Sequence, residues 1–134
     1  GERSVPMQAD LGSIIPLHTI SSGKMILANY TQEQVNEIIE VHGLEARTEQ
    51  TITDRETLFE ELDTIAQQEY AVNDQESVNG LRSIGAPIFY NDQIVAGLDI
   101  AGPIHRLDDE RLENELSKTL LQSINEIELK IEYE

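Results

Sequence analysis

Apolar residues recur along this chain with two different periods, and the changes of period mark out its elements. Leu58, Phe59, Leu62, Ile65 and Ala66 fall at i, i+1, i+4, i+7 and i+8, which predicts a helix from Asp54 to near Tyr70 with one buried stripe. Leu112, Leu116, Leu120, Ile124, Ile127 and Ile131 return every three or four residues against Glu110, Glu113, Glu115, Glu126 and Glu128. This predicts a terminal helix, capped by Asp108, that covers a sheet face. Thr31-Gln32-Glu33-Gln34 matches a capping box, and Val35, Ile38 and Ile39 share one face before Gly43, so a short amphipathic helix is expected there. Another helix is expected to start near Ser21, with serine oxygens capping its free N–H groups.

Strand-like runs cover residues 81–90 and 93–101. Asn91-Asp92 between them tolerates the left-handed conformations of a tight hairpin. Val5, Met7, Leu11 and Ile14 predict one or two short strands over residues 4–15, ended by Pro16. The order is strand, helix, helix, helix, strand, strand, helix, without internal repeats, in one α/β (α+β) domain over residues 1–134.

Composition narrows the function. With 134 residues and 39% apolar content the chain can build one core unaided. Its 26 Asp and Glu against 9 Lys and Arg give a formal charge of -17, which repels phosphate backbones and anionic lipid, so nucleic-acid binding by these residues is excluded. The only lysines are Lys24, Lys118 and Lys130; such a Lys-poor, Glu-rich surface is like that of proteins from salt-loving cytoplasms, where salt screens self-repulsion. No cysteine is present, so disulfides and thiolate chemistry are absent. No apolar run reaches the roughly 18 residues of a membrane span. Gly1-Glu2-Arg3-Ser4 is unlike a secretion signal. A cytoplasmic location is the expectation.

Candidate chemistry is sparse. Ser22-Gly23-Lys24 suggests a phosphate loop, but His18 occupies the first glycine position of that motif and Met25 replaces its Mg-binding hydroxyl, which excludes nucleotide hydrolysis. His18, His42 and His105 have no metal-ligand spacing, so neither metal nor cofactor is expected. Asn29-Tyr30-Thr31 is a chance sequon, since Thr31 already has a capping role. Most carboxylates are hydrated helix faces. Asp99 stands apart because it interrupts the apolar run Ile94-Val95-Ala96-Gly97-Leu98-Asp99-Ile100-Ala101. It either points outward by strand alternation or faces a pocket.

Three segments together carry a family resemblance: Pro16-Leu17-His18-Thr19-Ile20-Ser21-Ser22-Gly23-Lys24 running on to Ala28, the stretch 69–89 around Asn73, Gly80, Ser83 and Gly85, and Leu98-Asp99-Ile100-Ala101-Gly102-Pro103. In order and spacing they resemble the effector-binding domain of the IclR family of transcriptional regulators, over residues 12–127. The resemblance implies a GAF-like (profilin-like) antiparallel sheet flanked by helices, which binds a small metabolite and carries subunit contacts, as a homodimer or homotetramer. It also implies that this chain is an N-terminally truncated piece. The winged helix-turn-helix domain through which the family contacts DNA would then lie outside it.

Carried over by residue, the family pocket falls on Ser21, Ser22 and Gly23 at a helix start, and on Asn73, Ser83, Asp99 and Ala101. Unpaired N–H groups at that helix start suit a carboxylate. The chain departs from the family's usual Asp at Asn73, Cys at Ser83, and Ser at Asp99 and Ala101. A carboxylate at Asp99 accepts hydroxyl hydrogen bonds, so the expected effector is a hydroxylated organic acid such as a sugar acid, rather than glyoxylate or pyruvate. Those departures leave open an alternative, an oligomerisation module with a vestigial pocket. An enzyme is not expected, for lack of a nucleophile–base pair.

Overall fold

The computed structural model describes residues 17–133. The strands expected over residues 4–15 lie outside that range. A 3-10 turn, Leu17–Thr19, leads into helix α1 (Ser21–Ala28), followed by α2 (Gln32–His42), α3 (Arg55–Gln68), strands β1 (Ala71–Asp74), β2 (Leu81–Tyr90) and β3 (Gln93–Pro103), and finally α4 (Ser117–Tyr133). The strands form one antiparallel sheet in the order β1-β2-β3. This is an α+β fold, as expected.

Local chemistry sets most boundaries. The capping box of α2 forms as its sequence predicts: Gln34 N–H donates to Thr31 Oγ1 at 3.1 Å, and Thr31 N–H donates to Gln34 Oε1 at 2.9 Å. Gly43 closes that helix at φ +71°, a left-handed value that favours glycine. Asp54 caps α3 by accepting from Thr57 N–H at 2.9 Å. Asn91 and Asp92 take φ +51° and +64°, the left-handed pair of a type I′ hairpin turn.

Three expectations change. α1 starts at Ser21, but its N-cap is Ile20 and no side chain caps it; the Ser21 hydroxyl is drawn instead to Ser83. β1 was not foreseen, because Ala71-Val72-Asn73-Asp74 contains one β-branched residue and is a strand through its pairing with β2. The terminal helix is preceded by a π-helical stretch, Arg111–Leu116. Asp108 caps this region as expected, accepting from Arg111 N–H at 2.9 Å.

β2 is the axis of the molecule, with Ser83, Ile84, Gly85 and Ala86 all buried. Successive side chains point to opposite faces. On one face α1 brings Ser21 against Ser83 and Met25 to within 3.2 Å of where a Cβ on Gly97 would stand; Ala86 lines a cavity together with Leu121 and Ile124 of α4. A bulge between Ile88 and Phe89 shifts the register with β3 by one residue. The Phe89 N–H donates to Glu128 of α4 at 2.8 Å. Leu58, Ile84 and Leu120 are fully buried in the core these layers enclose.

Candidate functional site

The strand register brings the carried pocket residues to adjacent rungs. Ser83 pairs with Asn73 on one side and Ala101 on the other; two residues along, Gly85 pairs with Ala71 and Asp99. Residues two apart on a strand share a face, so Asn73, Ser83, Gly85, Asp99 and Ala101 look the same way, toward α1.

Over these rungs lies the first turn of α1. The Ser21 and Ser83 hydroxyls share a 2.5 Å hydrogen bond. Gly85 leaves room where a side chain would stand: a Cβ there would lie 1.8 Å from Asp99 Oδ1 and 3.3 Å from Ser21 Cβ. Asp99 carboxylate, Ser21 and Ser83 therefore converge on one glycine. The β3 side stays open, for Gly97, Asp99 and Ala101 are all exposed. The result is a trough, floored by β2 and β3, with the N-terminus of α1 at its wall. Lys24 N–H makes the first helical hydrogen bond, to Ile20 O at 2.9 Å, so the N–H groups preceding it face out of the helix end.

Asp99 settles between its two sequence readings by doing both. Its surface is open to solvent on the trough side, yet the surrounding protein withdraws enough water to raise its carboxyl pKa above the ordinary value. The openness keeps that penalty small.

The other expected residues divide. Ser22 turns toward an adjoining cavity of about 720 Å³, which Gly97 of β3 also lines. Gly23 is a packing glycine: a Cβ on it would lie 2.1 Å from Leu17 O, so the 3-10 turn can press on α1 only without a side chain there. Asn73 is buried with both ends of its amide engaged, Nδ2 donating to Thr19 O at 2.7 Å and Oδ1 accepting from Glu76 N–H at 2.9 Å. It holds the turn before α1. Ala101 contributes an open methyl on the Ser83 rung.

Sequence reasoning missed what anchors α1. Lys24 is fully buried, and its ammonium donates to Glu61 of α3 at 2.9 Å, to Val72 O of β1 at 2.6 Å and to Glu76 at 2.9 Å. Two elements and the loop after β1 thus grip the helix one residue past Gly23. A lysine followed by Met25-Ile26-Leu27 in a chain with so few lysines was the available signal. Arg82 plays a similar part at the far end of β2, bonding Asp74 at 2.8 Å, Asp109 at 3.0 Å and Leu107 O at 2.9 Å; its guanidinium holds the Asp74 carboxyl below its usual pKa. Among the described residues no group of three His, Asp or Glu is placed to hold a metal, and no helix is long and apolar enough to cross a membrane.

An antiparallel sheet with helices on both faces and a polar trough beside a helix N-terminus place the chain in the α+β class. Residues 1–129 match the family model described as the C-terminal domain of the bacterial transcriptional regulator IclR, and the chain belongs to that family. It is 32% identical to the transcriptional repressor IclR of Escherichia coli over 92% of this chain and 45% of that protein, and 35% identical to the E. coli regulator KdgR over 80% and 41%. The chain thus spans less than half the length of these relatives, which are transcriptional regulators and not enzymes. Among solved structures, Thermotoga maritima IclR superposes with TM-score 0.79 at 36% identity, covering 99% of this chain and 54% of that one. A double mutant of the inducer-binding domain of the Acinetobacter transcription factor PobR, in complex with 3-hydroxybenzoic acid, superposes with TM-score 0.81 at 30% identity, covering 85% and 66%.

Proposed function

We propose that this chain is the metabolite-sensing domain of an IclR-type regulator, and that its effector is a small hydroxylated carboxylic acid, such as a sugar acid, held in the trough. The observation that carries this reading is the convergence of Asp99, Ser21 and Ser83 on Gly85. The Asp99 carboxylate accepts hydrogen bonds from effector hydroxyls, and the first turn of α1 receives the effector's own carboxylate. The PobR double-mutant domain with bound 3-hydroxybenzoic acid, built on the same fold, supports a pocket in this type of domain. Effector binding shifts the balance between two states of the domain, as a homodimer or homotetramer, and a DNA-binding domain outside this chain reads the shift.

The second reading is an oligomerisation module with a vestigial pocket. The engaged amide of Asn73 favours it, since both polar atoms of that side chain are already bonded within the protein. Titration calorimetry in high salt separates the two, using a panel of sugar acids, glyoxylate and pyruvate against the wild type and Asp99→Ala. The sensor reading expects sugar-acid binding that Asp99→Ala weakens. Tight pyruvate binding without sugar-acid heat overturns the hydroxyl assignment, and no binding by any acid favours the vestigial pocket.

A further inference from the structure

A cavity of about 530 Å³ lies between α1, α2 and α3, beneath the turn Leu17–Thr19. It shares no residue with the trough. Its walls are aliphatic, from Leu27, Val35, Ile38 and Leu58, and its polar groups include His18 and His42. This volume falls in the range of roughly 300–1,000 Å³ typical of small-molecule pockets, which combine apolar walls with a few placed polar groups.

His18 supplies the second observation. It is 3% exposed, and its Nε2 lies 2.9 Å from Glu45 O. A carbonyl oxygen only accepts, so Nε2 carries the proton. Burial lowers the His18 pKa, which keeps the ring neutral and makes Nδ1 a bare acceptor. No described residue donates to it. A buried acceptor without a donor is the kind of group a ligand satisfies.

The surroundings select against an anion. The carboxylates of Glu76 and Glu45 act on the His18 ring more strongly than the one cation that does, Arg47, and aliphatic walls give a negative charge little compensation. We propose that this cavity is a second small-molecule site, which takes an uncharged aliphatic or monocyclic aromatic compound bearing one hydroxyl, with that hydroxyl donating to His18 Nδ1.

Phenol, with toluene as the probe lacking a donor, tests this by amide chemical-shift titration of the 134-residue chain. Phenol is expected to shift the amides of the turn and of α2, and to bind roughly ten-fold more tightly than toluene, the factor one net hydrogen bond supplies. Ile38→Trp and, at the half-buried rim, Leu44→Trp fill the cavity; either variant with a wild-type circular dichroism spectrum should lose phenol binding. Asp99→Ala should leave it unchanged. Phenol binding that survives both folded tryptophan variants, that Asp99→Ala abolishes, or that toluene equals would overturn the proposal, as would the absence of any shift around His18.

Discussion

At the scale of single residues, Gly85 makes room for Asp99 by lacking a side chain. The carboxylate occupies the space that a Cβ on residue 85 would need. Gly85→Ala must therefore push Asp99 aside, and the atom displaced is the end of a side chain, which can move. Calorimetry should show sugar-acid affinity falling roughly ten-fold, the equivalent of about 1.4 kcal/mol, while the fold survives. Asp99 itself carries a small stability penalty. Its folded pKa is raised by burial, so the native state holds its proton to higher pH than the unfolded chain does. Stability is consequently lost as pH rises through the interval between the two pKa values. Asp99→Asn should melt slightly above wild type at neutral pH, and this difference should shrink below the ordinary carboxylate pKa. An Asp99→Asn protein that melts lower at pH 7 contradicts the assignment.

Elements differ in how far local sequence specifies them. α2 and α3 were legible because their caps are local pairs, Thr31 with Gln34 and Asp54 with Thr57. The hairpin turn was legible because Asn91-Asp92 suits positive φ. β1 was not, since four residues of weak strand preference owe their conformation to β2. The cap of α1 was misjudged for a related reason: a serine before Gly-Lys is a good local cap, but Ser83, 62 residues away, competes for the hydroxyl of Ser21. Of the candidate site, its place on the sheet was legible through the family motif, whereas Gly23 as a packing glycine and Asn73 as a brace depend on contacts with Leu17, Thr19 and Glu76. Lys24 lies at the limit of legibility, with partners on α3, on β1 and beyond it. Lys24→Met leaves Glu76 buried without its cation, and removing one partner of a buried pair costs roughly 3–5 kcal/mol. Urea unfolding should report a loss near the lower figure, because Glu61 is partly open to water. A loss below about 1 kcal/mol means that the lysine does not anchor α1.

For the whole molecule, the charge of -17 is a self-repulsion that folding must overcome. Exposed carboxylates such as Glu33, Glu37 and Glu126 lie on solvent-facing surfaces of α2 and α4. Salt shortens the Debye length from roughly 10 Å at 0.1 M to about 3 Å at 1 M, so the melting temperature should climb with KCl over that range. A flat or falling curve would remove the reading of this surface as an adaptation to salt. The same charge repels a phosphate backbone; in the proposed sensor function, control of DNA passes through a separate module and the trough receives the signal. The most direct test is a crystal structure of the domain with the sugar acid that binds it most tightly. The account predicts ligand hydroxyls within hydrogen-bond distance of Asp99 and the ligand carboxylate at the first turn of α1, beside Ser21 and Ser22. Ligand density elsewhere, or in the trough with Asp99 turned away from it, would contradict the account.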